Sequence, residues 1–517
     1  MKRTSALKEI ASGREWDFVI AGGGATGLGI ALEAASRGYK VLLLEQADFA
    51  KGTSSRSTKL IHGGVRYLAN GDVGLVREAG TEREILFLTA PHLVKDLEFL
   101  IPVYEYIDRL KYGIGLTLYD WITGNYINNT SGFIDAEAFK DQFPNLKKEG
   151  LRGAVAYHDG QFDDARLAVN LAQSIEENGG YVLNYCRITG LGKTPSGKIS
   201  SVQAKDQISG EKYEIPLKIF INATGVFADE ILKMDDAEAK PRLRPSQGVH
   251  LVVPAEFFPG KKALMIPKTS DGRVLFAVPW HNRLIIGTTD TPVDHIELEP
   301  RALEEEIDFI LKTAAEYLNH PPSREDVLSV YAGLRPLAAS DPGKKPKEIS
   351  RSHKIHYSES GMFTMLGGKW TTYRKMGEDM IDEAEKTFGW KKTSTHTRNL
   401  KIHGYLENNN FDNPLFYYGS DYPFLKQEIE KAPGGWISEK FPLHKAQIKW
   451  AVENEMAETV DDILSRRTRS LLLDAREALR IAPMVAEELA SLKGKGEEWL
   501  ENQVEAFREI TRNYILK

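Results

Sequence analysis

Three glycines, Gly22, Gly24 and Gly27, stand at the spacing G-x-G-x-x-G, and a carboxylate, Glu45, follows within the length of one βαβ unit. That set can hold a dinucleotide. The first glycine permits a tight turn, the second lets the backbone approach a pyrophosphate, and the third lets a helix pack on a strand. Ala25 and Thr26 open that helix, whose free N–H groups face the phosphate charge. Glu45 can accept hydrogen bonds from the ribose hydroxyls. NAD and FAD both satisfy this much. The run Gly52-Thr-Ser-Ser-Arg-Ser-Thr-Lys-Leu-Ile-His-Gly-Gly-Val-Arg-Tyr67 favours FAD. Its hydroxyls (Thr53, Ser54, Ser57), the cation Lys59, then His62, Gly63 and Gly64 suit a long polar ligand ending in a flat ring. Taken alone, the same run reads equally well as a Ser/Thr-rich surface loop.

These residues need strands behind them. Residues 17–21 and 41–44 read as two buried strands flanking the glycine helix. Further strand-like runs occur at 181–183, 219–223 and 363–366. The last two end in the small-residue turns Ala223-Thr224-Gly225 and Gly367-Gly368, where a doubly wound sheet places its ligand. Between them, 249–253, 274–278 and 283–286 alternate β-branched and aromatic residues, the pattern of an antiparallel sheet. The expected architecture is α/β: a discontinuous Rossmann-like FAD domain over residues 16–395, carrying an inserted mixed or antiparallel substrate sheet at roughly 75–155 and 230–345. An all-helical domain follows at 400–517, with Ile448, Val452 and Met456, then Ile481, Val485 and Leu489, spaced by four. Thr459-Val-Asp-Asp462 resembles a capping box with Asp in place of Glu. Residues 1–15 read as a tail.

The 517 residues carry a formal charge of −6, 42% hydrophobic and 27% charged residues. Two or three domains are the natural expectation. The charge argues against a nucleic-acid partner. One cysteine, Cys186, excludes an internal disulfide and a CxxC site and suits a reducing compartment. No signal peptide is legible at the start, and no run approaches the ~18 apolar residues of a spanning helix.

Thr53-Ser-Ser-Arg-Ser-Thr-Lys-Leu-Ile-His-Gly-Gly-Val-Arg-Tyr-Leu68 resembles the signature of FAD-dependent, quinone-linked glycerol-3-phosphate dehydrogenases. Phe162-Asp-Asp-Ala-Arg-Leu167, Asn222-Ala-Thr-Gly225, Gly287-Thr-Thr-Asp290, Tyr331-Ala-Gly-Leu-Arg-Pro336 and Gly367-Gly-Lys-Trp-Thr-Thr-Tyr-Arg374 agree in order, so the resemblance spans essentially the whole chain. Two departures are Arg56, where a small residue is common, and Trp370, where Leu is. The resemblance implies an amino-acid-oxidase-like fold and oxidation of sn-glycerol 3-phosphate to dihydroxyacetone phosphate. A hydride would pass from C2 to flavin N5, and the electrons onward to a membrane quinone. It implies Arg66 and Lys369 as phosphate ligands, Tyr67 and Thr288 as hydroxyl partners, and Arg335 beside the reacting carbon. Arg374 joins the cation set, or else pairs with an acid on its own helix. Gly333, Gly368, Lys369 and Thr371 join the cofactor set. An oxidase that reduces oxygen to hydrogen peroxide, or a flavin oxidase of another amino or hydroxy substrate, shares the same motifs.

The proton acceptor is His62 or His250, since histidine titrates near neutrality. His250 opens the strand 251–253 and could face the flavin, whereas His62 could pack on the ring or be linked to it. His353 and His356 lack a third ligand, so no metal is expected. Residues 102–125 mix aromatics and aliphatics with Arg109 and Lys111, a texture that suits a bilayer interface and equally a helix packed on the protein's own core. With the resemblance, this points to monotopic attachment on the cytoplasmic face of the cell membrane. The N-terminal stretch could assist that attachment or fray. A homodimer stays open.

Overall fold

The computed structural model describes residues 1–63, 73–105, 115–116, 131–267, 269, 272–339 and 353–516. Gly64, Arg66, Tyr67 and most of the interfacial segment (106–114 and 117–125) lie outside the described residues.

Two sheets organise the chain. In the first, Trp16–Ala21 lies between the parallel strands Val41–Leu44 and Lys212–Asn222, with Tyr181–Leu183 and Phe363–Leu366 as outer parallel neighbours. Lys354–Tyr357 adds an antiparallel edge. The first half of Lys212–Asn222 leaves the parallel sheet to form an antiparallel meander with Ile199–Asp206 and Cys186–Lys193. Central strands such as Val41–Leu44 are apolar throughout because both faces are covered, Val41 and Leu43 by helices and Leu42 and Leu44 largely by that meander. The helix Ala25–Ser36 is clamped between Asp164–Glu177 and Tyr373–Thr387. Its approach to the latter depends on two glycines. A Cβ on Gly29 would lie 2.5 Å from the Tyr373 carbonyl oxygen, and one on Gly377 would lie 2.5 Å from the carbonyl oxygen of Gly29.

The second sheet has ten strands and is antiparallel except where Ala263–Ile266 runs parallel to Lys95–Val103. Its functional part is Ser246–Pro254, which pairs with Arg283–Gly287 on one side and Ser329–Arg335 on the other. The period-2 alternation divides Ser246–Pro254 between two cores. Val249, Leu251 and Val253 pack in one core with Ile307 and Ile310 of the helix Glu304–Tyr317. Val252 packs in the other with Ile463, Leu464 and Ile481 of the C-terminal helices.

The C-terminal region is helical: Tyr422–Lys431, Lys445–Asn454, Ala475–Lys493 and Glu497–Thr511. Ile481, Val485 and Leu489 form one buried stripe, as their spacing predicts. Met456 does not extend the stripe of Ile448, because that helix ends at Asn454 and Met456 sits at φ +53°. Thr459 and Asp462 do make the reciprocal capping bonds. The Asp462 N–H donates to Thr459 Oγ1 at 3.2 Å and the Thr459 N–H to Asp462 Oδ2 at 3.1 Å. The turn they open is π-helical, Asp462–Arg467.

The N-terminus is a docked helix rather than a tail. Arg3–Ala11 buries Ala6 and Ile10, and Arg3 pairs with Asp206 at 2.6 Å. Among the described residues no helix is long and apolar enough to cross a membrane.

Candidate active site

The strand Trp16–Ala21 runs into Gly22 at φ +107°, a conformation that favours glycine. A Cβ there would lie 2.5 Å from the carbonyl oxygen of Ala223, and one on Gly27 would strike the carbonyl oxygen of Gly22. The glycines therefore let the turn, its helix and the second turn 223–225 close on one another. Gly24 offers no side-chain cap to Ala25–Ser36, and the Ala25 N–H is met instead by Ser54 Oγ at 2.9 Å. Glu45 accepts the N–H of Gly23 at 2.6 Å and of Ala47 at 2.8 Å. Burial raises its pKa, against the pull of these two donors.

A cleft with 1220 Å³ of atom-free space, part of it open to solvent, follows these residues. Gly22, Gly24, Ala25, Thr26, Glu45, Thr53, Ser54, Ala223, Thr224, Gly225, Gly368 and Lys369 all line it. A glycine turn, a helix start and a terminal carboxylate along one elongated cleft fit a dinucleotide.

The end of Ser329–Arg335 abuts this cleft. Pro336 lines it, and the Thr53 hydroxyl donates to the Leu334 carbonyl at 2.6 Å. Arg335 sends Nη2 to Thr288 Oγ1 at 3.1 Å and Nη1 to Asp290 Oδ1 at 3.2 Å. Gly248 makes room for this pair, since a Cβ there would lie 2.6 Å from Thr288 Oγ1 and 2.7 Å from Arg335 Cζ. His250 sits between its two cross-strand partners. Its ring stacks on Tyr331 with centroids 4.8 Å apart, and on the other side Gly287 leaves the space a Cβ would take, 2.9 Å from His250 Cγ. His250 Nε2 meets Thr58 Oγ1 at 2.8 Å, while its buried Nδ1 has no partner among the described residues. Burial first, then the charges of Arg335 and Lys59, push its pKa well below the ordinary value, so the ring is neutral.

Residues 17–374 match the FAD dependent oxidoreductase family, and residues 363–499 match the C-terminal domain of alpha-glycerophosphate oxidase. The chain is 36% identical to the mitochondrial glycerol-3-phosphate dehydrogenase of Homo sapiens, over 99% of this chain and 75% of that one. It is 37% identical to a probable mitochondrial glycerol-3-phosphate dehydrogenase of Caenorhabditis elegans, with the same coverage. The chain belongs to the FAD-dependent glycerol-3-phosphate dehydrogenase family. The crystal structure of the Bacillus halodurans glycerol-3-phosphate dehydrogenase complexed with FAD superposes with a TM-score of 0.81 at 28% identity, covering 100% of this chain and 98% of that one. This protein is accordingly an FAD-dependent oxidoreductase, and the cleft lined by the glycine turn is the candidate FAD site.

Against that family background, several expected site residues take other places. Lys59 is not among the residues that line the cleft. Its Nζ is buried and bonds Asp164 Oδ1 at 2.8 Å, Oδ2 at 2.7 Å and the Ser55 carbonyl at 2.7 Å. Burial lowers its pKa, with Asp164 opposing. Ser57 likewise turns inward, giving its hydroxyl to Asp164 Oδ2 at 2.6 Å. Gly333 faces protein, because a Cβ there would lie 2.9 Å from the Arg56 carbonyl oxygen. Arg374 takes the second of its two expected places, on acids rather than in the cation set. It is buried, forked onto Glu82 at 2.6 and 2.8 Å, and paired with Glu378 of its own helix at 2.5 Å. Thr371 is buried in the short turn Trp370–Thr372. His62 is exposed, just beyond the strand Leu60–Ile61, and the Gly63 N–H donates to Asp159 at 3.2 Å.

The family departures also have local reasons. Arg56 bonds Glu299 at 2.6 Å and the Tyr514 hydroxyl at 3.2 and 3.3 Å, which ties the FAD loop to the chain's end. Trp370 donates its indole N–H to the Ser54 carbonyl at 2.8 Å. Thr58, Asp164, Gly248 and Gly287 went unassigned from sequence, though all four lie inside or beside motifs that were visible there. A hydroxyl, an acid or a glycine within a motif does not declare which neighbour it serves.

Proposed function

We propose that the protein oxidises sn-glycerol 3-phosphate to dihydroxyacetone phosphate. The observation that carries this reading is that the strands abutting the cleft hold both the Arg335 guanidinium and the buried, neutral His250 that its charge reaches. FAD, when bound in the cleft, would supply the two-electron acceptor for the hydride leaving C2. His250 takes the proton of the 2-hydroxyl. Arg335 steadies the negative charge that develops on that oxygen, in a site where fixed dipoles and charges cost no reorganisation. Lys369 on the cleft wall, with Arg66, binds the phosphate, with Tyr67 and Thr288 adding hydroxyls. The dianion also offsets the cations that depress His250, so substrate binding makes the base more basic when it is needed. Electrons then pass to a membrane quinone, with the protein attached to the cytoplasmic face of the membrane through the interfacial segment at 102–125.

A second reading, in which oxygen is the acceptor, is favoured by one observation: the family matched by residues 363–499 is described from an alpha-glycerophosphate oxidase. Anaerobic addition of sn-glycerol 3-phosphate to the holoprotein tests the substrate. Bleaching of the oxidised-flavin band is the expected result, and a band that persists would refute it. Stoichiometric hydrogen peroxide under air, with no quinone reduction, would select the oxidase. Co-sedimentation with lipid vesicles tests the attachment.

A further inference from the structure

Lys51 is a cation of the cleft that the nucleotide motifs do not name. It lies two positions before Thr53 and lines the cleft, yet its side chain is only 10% exposed. A lysine so enclosed loses hydration and needs anionic partners. It has two. Nζ lies 2.6 Å from Glu299 Oε1 and 2.6 Å from Asp461 Oδ2. Those two take two of its three N–H donors and leave the third for the cleft.

The partners come from different parts of the chain. Glu299 follows Leu298, which lines the cleft, and is braced by Arg56 at 2.6 Å. Asp461 belongs to the C-terminal helical domain, and among the described residues none of that domain lines the cleft. Its carboxylate is immobilised by neighbours: Ser465 donates to Oδ1 at 2.6 Å, and Arg466 to Oδ2 at 2.8 Å. Arg466 in turn bonds Asp48 at 2.5 Å, on the same loop as Lys51. Burial opposes the Asp461 charge, but Arg466 and Lys51 overcome it and hold the group ionised. Along the chain Lys51 falls between Glu45 and Ser54, and all three line the cleft, with Ser54 capping the helix start. A point charge there complements the dinucleotide's diphosphate.

We propose that Lys51 contacts the diphosphate of FAD, and that Asp461, reaching across from the helical domain, is the positioning residue that holds its ammonium there. The helical domain thereby sets cofactor affinity without touching the cofactor. This rests on the FAD reading of the cleft, and its test reads binding rather than turnover.

Full-length protein is stripped of flavin and titrated with FAD, then separately with ADP and adenosine, for the parent, Lys51→Met, Asp461→Asn and the double variant. Circular dichroism confirms folding. Lys51→Met is expected to weaken FAD and ADP tenfold or more while leaving adenosine within twofold. Asp461→Asn is expected to weaken FAD by a similar factor, and the double variant no further than Lys51→Met alone, since the two act through one ammonium. Parental FAD affinity in folded Lys51→Met overturns the proposal, as does an equal loss for adenosine. Additive losses in the double variant overturn the role of Asp461. If Asp461→Asn does not fold, the ADP-to-adenosine ratio in Lys51→Met decides. A parent chain that takes up no FAD would overturn the cofactor assignment as well, which separates that failure from this one.

Discussion

Replacing Lys59 by Met would test how the FAD loop is held. Lys59 and Asp164 are both fully buried, and the ammonium makes three bonds of 2.7–2.8 Å, two to the carboxylate and one to the Ser55 carbonyl. Met fills similar space and asks nothing different of a backbone at φ +63°. Removing one partner of a buried pair costs about 3–5 kcal/mol, because the other charge is left unpaired. Asp164 keeps three donors: the Ser57 N–H and hydroxyl, and the N–H of Ala165 at 2.8 Å. The expected loss is therefore at the lower end, about 3 kcal/mol. Against a total stability of about 5–15 kcal/mol that is a large fraction. Urea unfolding of the flavin-free protein measures it. The double variant Lys59→Met/Asp164→Leu should recover most of the loss, because no stranded charge remains. A loss below about 1 kcal/mol in Lys59→Met, the range of an exposed pair, would refute the argument that this ion pair anchors residues 53–59.

Gly287→Ala would put a Cβ 2.9 Å from His250 Cγ and displace the ring from Tyr331. Flavin reduction by substrate in a stopped-flow instrument should slow by about 10–100-fold with FAD binding intact, since a ~1 Å misplacement of a reacting group can cost that much; an unchanged rate would remove His250 from the chemistry. Arg374→Gln should destabilise the fold by about 3 kcal/mol, as a broken buried pair does, yet leave substrate affinity within about twofold, and a large rise in Kd would return Arg374 to the site. His403 bridges Glu177 at 2.5 Å and Asp421 at 2.9 Å, and despite burial those two carboxylates raise it to about 9. Because the folded value exceeds the unfolded ~6.5, its contribution is full below about pH 6.5 and is lost as pH rises through about 9. The shift corresponds to about 3 kcal/mol at most, less after solvent screening. Thermal melts of His403→Gln against the parent should therefore differ at pH 6 and converge by pH 10, and a constant gap would refute the linkage.

The glycine turn and the strands that flank it were legible because their signals are local. Gly22, Gly24, Gly27 and Glu45 answer to one βαβ unit, and their spacing encodes a turn whose partners are close in sequence. The strands 181–183 and 363–366 and the helical stripe of Ile481, Val485 and Leu489 were legible for the same reason, periodic burial. Lys59, Ser57, Gly333 and Arg374 were placed on ligands from sequence because their motifs surround the site. The structure turns each toward protein instead. Asp164, Arg56, Glu82 and Glu378 claim them, and of these only Glu378 is near its partner in sequence. The N-terminal helix misled in another way: Arg3–Ala11 is short and polar by composition, and its order comes from burying Ala6 and Ile10 and pairing Arg3 with Asp206.

By itself, then, the sequence determined the cofactor turn, the two-sheet plan, the helical C-terminal region and the family. Each is written in short-range spacing or in residue order along the chain. Only the tertiary structure decided which charge meets which. It set Lys59 on Asp164, Lys51 between Glu299 and Asp461, and His250 between Tyr331 and Gly287. Those pairings join residues far apart in the chain, and a buried charge is stable only with its partner in place.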